Sequence, residues 1–240
     1  MYKLFSMQIK ELLTSLHPKI KDMAFMSELV SGKFKRDEVL RSEVVELYRA
    51  LDTRQKIQDI YKAKLKEGIE QGLISKEDLE VMQEVIDDEG ETADHIDHLD
   101  MRFKLFVGTN IKRGKFPKKN EELQKINDEW VNICKEANIW EIMACHCAIE
   151  GWYPAISEMF EKEYKKRGFT EEELEIFIAH QGADVEHSEA QYSILEKNFS
   201  KIDPARIKHM VERTFRTSKG YEKMKLEFAK SEKPLDQFFQ

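Results

Sequence analysis

A chain of 240 residues is long enough to bury a full core, and its 35% of charged residues with only 10 Gly and 5 Pro favours long amphipathic helices over a turn-rich β fold. A formal charge of −7 supplies no basic surface for a phosphate backbone, so nucleic-acid binding is not expected, and the cluster from Lys112 to Lys119 reads as a solvated loop. No apolar run approaches the ~18 residues of a membrane span, the N-terminus lacks a signal-peptide core, and Cys134, Cys145 and Cys147 have no C-x-x-C spacing, so they read as reduced packing thiols. The expectation is one all-α, cytoplasmic domain over 1–230 with a tail at 231–240 and no membrane partner.

Amphipathic runs bounded by polar starts and breaks predict helices at 6–15, 19–30, 37–66, 76–89, 91–107, 120–136, 139–167, 171–199 and 204–230. The clearest start is Thr170-Glu171-Glu172-Glu173, a capping box, with Gly168 as the stop of the preceding helix. No internal repeat or flexible linker interrupts the series. The tail ends in Phe238 and Phe239, which either dock on the body or fray.

Candidate ligands occur in three places. The stretch from Asp87 to His98 holds two carboxylate–histidine pairs at two-turn spacing, Glu91 with His98 and Asp88 with His95, and Gly90 leaves the phase of the helix open between them. In the next place, Glu150 shares a stripe with Met143, Cys147 and Pro154, with His146 near its edge, so a carboxylate points at a core. Pro154 cannot donate to the Glu150 carbonyl, and a kink or widening is expected there.

The third place is the most specific. With His180 at angle zero, Asp184 falls at about +40° and His187 at about −20°, on the face that also carries Ile176, Phe177, Ile194 and Leu195. Two imidazoles and a carboxylate on a buried face need partners, because an uncompensated buried charge costs several kcal/mol. An internal hydrogen-bond network is one solution and a metal ion is the other. Carboxylates and imidazoles from several helices, without cysteine, suit iron or manganese better than structural zinc. Gln191, at about +20° on the same face, either bonds a ligand carboxylate or reaches solvent. Tyr192, Trp152 and Tyr153 read as packing residues, the last two placed to line a pocket beside Glu150.

The motif Glu150-x-x-x-Pro154 followed by His180-x-x-x-Asp184-x-x-His187 resembles that of the haem-oxygenase-like di-iron oxidases, relatives of the thiaminase II and pyrroloquinoline-quinone synthase superfamily. The resemblance extends over the Gly32-Lys33-Phe34 turn, the acidic stretch from Asp87 to Asp100 and the whole of 144–190. It implies a multi-helix bundle, often a homodimer, in which two irons activate O2 to oxidise a small substrate. It also implies metal ligation by Glu91, His98, Glu150, His180, Asp184 and His187, with Glu150 bridging. The family places a Glu seven residues before the histidine of its earlier helix, which favours Glu91 with His98 over Asp88 with His95.

A self-sacrificing route to p-aminobenzoate is disfavoured, because the tyrosine it needs before Gly32 is Phe25 or Met26 here. Alternatives on the same fold are a metal-independent hydrolase or lyase and a non-catalytic small-molecule-binding protein. Apolar residues gathered from several helices do not separate a fatty-acid substrate from an amino-acid derivative.

Overall fold

The computed structural model describes residues 2–88 and 98–240, except the side chains of 2–8, 84 and 86–88. Among the described residues the chain is a single all-α bundle with no strand: α1 Tyr2–Ser15, α2 Ala24–Val30, α3 Arg36–Glu70, α4 Lys76–Asp88, α5 His98–Lys104, α6 Glu121–Glu136, α7 Ile139–Lys165, α8 Glu175–Lys197 and α9 Pro204–Lys230. No helix among the described residues is long and apolar enough to cross a membrane.

Local chemistry sets the ends of the helices that matter for function. Asn138 caps α7 by accepting from the amides of Trp140 and Glu141, while Glu141 returns a bond to the Asn138 amide. Gly168, at φ 81°, stops α7 with Phe169 N donating to Tyr164 O, as a left-handed C-terminal cap requires. The expected capping box forms, with Thr170 N donating to Glu173 at 2.8 Å and Glu173 N to Thr170 Oγ1 at 3.3 Å. Regular α-helical bonding nevertheless begins only at Glu175, because residues 171–174 are spent on a turn.

Two other segments depart from expectation. The predicted helix at 19–30 splits at Met23 into a 3-10 turn at Ile20–Asp22 and the short α2. The described part of the predicted helix at 91–107 ends at Lys104, since the amides of Phe106, Val107 and Thr109 bond three residues back instead of four and tighten the chain into turns. Helix α7 runs unbroken through Pro154. The tail docks: Lys118 N donates to Phe238 O at 2.7 Å, Gln240 N to Phe116 O at 3.0 Å, and Phe239 is buried against Phe106.

Helices α7 and α8 form the most extensive contact of the bundle. They run antiparallel, since Cys147 meets Ser188, Glu150 meets His187, Glu161 meets Gln181 and Tyr164 meets Phe177. Gly151 admits the Tyr192 side chain at this seam; a Cβ there would lie 2.7 Å from its hydroxyl. Helices α3, α5 and α9 close the other sides around a common apolar core.

Candidate metal centre

His180, Asp184 and His187 all project from α8 into the interior, at 8%, 2% and 8% exposure, so the single face expected from helical geometry is the buried one. Glu150 of α7 is buried opposite them, its Oε1 3.2 Å from His187 Nδ1. Glu150, Asp184 and His187 present ligand atoms that all lie within 4.8 Å of one another. Donor atoms about 2.0–2.2 Å from one transition-metal ion are separated by about 3–4.4 Å, so these three lie close to the span of one coordination shell. The oxygen and imidazole donor set, with no thiolate in it, fits iron or manganese.

His180 stands next to this trio. Its Nδ1 lies 2.5 Å from Ile176 O, and because a carbonyl only accepts, Nδ1 carries the proton, which makes Nε2 the ring nitrogen suited to ligate a metal. His98, the first residue of α5, packs edge-on against His180 with ring centroids 4.9 Å apart. His98, Glu150, His180 and Asp184 line one cavity of about 180 Å³. Glu91 and His95 lie outside the described residues, and so does the side chain of Asp88, so of the two carboxylate–histidine pairs the structure places His98 alone.

A second layer holds Glu150 in position. The Gln191 side-chain amide donates to Glu150 Oε2 and to His187 O, and Gln191 is fully buried. The Gln191 carbonyl oxygen meets the Tyr61 hydroxyl at 3.4 Å and His146 Nδ1 at 3.3 Å, while His146 Nδ1 also lies 3.2 Å from Glu150 Oε2. Burial, then the charge of Glu150, pushes the Tyr61 phenol well above its ordinary range, so it stays a hydrogen-bond donor. Tyr153 lines the cavity 5.5 Å from the His180 ring, and burial raises its phenol as well. Trp152 points elsewhere, donating to Pro18 O at 3.2 Å and packing on Phe215.

Sequence reasoning left His146 and Tyr61 out of the site. The signal for His146 was present, four residues before Glu150 on the same face. Tyr61 arrives from α3 by tertiary packing and left no local signal.

No protein-family model matches the chain, and no curated protein matches it. Two crystal structures of a CADD-like protein of unknown function from Nostoc punctiforme are similar. One aligns with a TM-score of 0.61 at 12% identity over 95% of each chain. The other aligns at 0.63 and 12% over 96% of this chain and 99% of the other. At that identity the likeness is one of fold: this chain shares a related all-helical fold with a CADD-like protein.

Proposed function

We propose that the chain is a carboxylate–imidazole metalloprotein that holds two irons and uses O2 to oxidise a small molecule, in the manner of the haem-oxygenase-like di-iron oxidases. The observation that carries this reading is the convergence of Glu150, Asp184 and His187, whose ligand atoms lie within 4.8 Å of one another, close to the span of one coordination shell. On this reading Glu150, Asp184 and His187 would hold one ion, and His98 and His180, with Glu91, would hold the other. Manganese suits the same donors. A small-molecule substrate and O2 are the partners, and a homodimer in the cytoplasm is the expected setting.

Two irons, when bound, supply redox chemistry with O2 that no side chain provides. The chain's own contribution is orientation. Gln191 fixes the Glu150 carboxylate, Ile176 O fixes the His180 ring, and the phenols of Tyr61 and Tyr153 remain neutral donors at the margin. Ile57, Ile142 and Ile149 give the cavity an apolar wall. A thiol-based hydrolase draws no support, because burial pushes Cys134 and Cys145, the two thiols lining the cavity, up to about 12.

The test is elemental analysis of protein reconstituted with ferrous iron without oxygen, beside Glu150→Ala and His187→Ala. About two irons per chain, lost in both variants, with O2 uptake abolished by a chelator, is the expected result. A wild-type protein that takes up no metal would make the cluster a hydrogen-bond network and remove the oxidase reading.

A further inference from the structure

The cavity that reaches the metal-type ligands has a cationic end. Arg49 and Arg54 of α3 and Arg102 of α5 line it, together with Ile57, Ile142 and Ile149. Arg102 is 6% exposed, and among the described residues its Nη1 has no hydrogen-bond acceptor. Among the described residues the carboxylates beside it are Glu43 at 4.0 Å and Glu46 at 3.9 Å.

Both acids are engaged more closely by other groups. Lys225 Nζ lies 2.9 Å from Glu43, which also accepts the Tyr164 hydroxyl at 2.5 Å, and Arg49 lies 2.9 Å from Glu46. Three cations, Arg49, Arg102 and Lys225, therefore face two carboxylates. The third nearby acid, Glu222, is turned to the Met26 amide, and burial pushes it up to about 7. The surplus positive charge falls on Arg102, which borders the cavity. A buried guanidinium short of acceptors is costly, and its planar fork matches a carboxylate.

We propose that Arg102 recognises the carboxylate of a small organic acid, whose apolar part lies against Ile57, Ile142 and Ile149 and whose far end faces Glu150, Asp184 and His180. The cavity volume of about 180 Å³ limits its size. A cavity of ~150 Å³ admits the six carbons of benzene, so an acid of roughly seven to nine non-hydrogen atoms, the size of hexanoate or benzoate, is the upper limit. As a substrate site this rests on the oxidase reading; as an anion site it stands on Arg102 alone.

The experiment is a calorimetric titration of the full-length, metal-free protein with benzoate and hexanoate against benzamide and hexanamide. The acids are expected to bind roughly tenfold tighter than the amides, with the preference erased in Arg102→Gln, partly restored in Arg102→Lys and unchanged in Arg216→Gln, an exposed control. If Arg102→Gln does not fold, the Arg102 Nε resonance of labelled wild-type protein decides, since acid and not amide must move it. Equal affinity for acid and amide, a preference that survives Arg102→Gln, or an unmoved Arg102 resonance each overturns the proposal. Acid binding without any iron uptake would sink the oxidase reading and keep the anion site; iron uptake without acid preference would do the reverse.

Discussion

Glu43 and Glu150 are both carboxylates buried on long helices, 1% and 4% exposed, and they are neutralised in opposite ways. Around Glu43 the chain supplies its own cations: Lys225 at 2.9 Å, Arg102 at 4.0 Å, and Arg49 one step away on Glu46. Around Glu150 it supplies two imidazoles and an amide, from His146, His187 and Gln191, with no Lys or Arg ion pair among the described residues. The first cluster carries its own permanent positive charge and ties α3, α5 and α9 together. The second is rich in lone pairs and short of permanent positive charge, which is the condition a metal ion satisfies.

The sharpest way to break this contrast is to remove one member of each cluster. Lys225→Met leaves Glu43 buried without its closest cation and is expected to cost about 3–5 kcal/mol in urea unfolding. Glu150→Gln in metal-free protein is expected to change stability by less than about 1 kcal/mol, because Gln191 and the imidazoles still meet a neutral amide. Equal losses would mean that the two clusters do the same structural job.

A pH series separates the two kinds of acid within the charged cluster. Burial raises Glu222 to about 7, so its contribution to stability is full below about pH 4.5 and is lost as pH rises through 7. Unfolding free energy should fall by on the order of 2–3 kcal/mol from pH 5 to pH 8, and Glu222→Gln should remove that fall. Burial also works to raise Glu46, but Arg49, Lys225 and Arg102 together hold it at about 2, so its contribution persists down to pH 4.5 and fades only below that.

Smaller changes sharpen the comparison. Gln191→Leu should leave the fold intact and weaken iron binding by about 10–100-fold in a competitive chelator titration, since it frees the Glu150 carboxylate to rotate. Tyr164→Phe should cost about 1–2 kcal/mol in urea unfolding, the worth of one buried hydroxyl on a charged acceptor.

What the sequence revealed follows the same division. His180, Asp184 and His187 were legible because helical periodicity is local: three polar residues on an apolar stripe announce themselves from spacing alone. The number and order of the long helices were legible for the same reason, and the misses at 19–30 and 171–174 are ends, where capping turns compete with the helix. Glu43 sits on an equally apolar stripe of α3 with Val39, Leu40 and Leu47, and Lys225 is flanked on α9 by Tyr221 and Ala229, so the argument that found the metal-type ligands also reaches these residues. It was obscured by composition: in a chain that is 35% charged, an isolated Glu or Lys reads as surface. No local pattern announced that Arg102 would border the same cavity as His180, or that Tyr61 would reach Gln191, because those meetings are made by α3 and α5 packing on α7 and α8.

The most direct test of the central claim is anomalous diffraction at the iron edge from crystals loaded with ferrous iron without oxygen. Two peaks per chain are expected, one among Glu150, Asp184 and His187 and one beside His98 and His180. Iron absent from both positions, with the His187–Glu150 and Gln191–Glu150 hydrogen bonds intact, would contradict it and leave the cluster as a purely structural network.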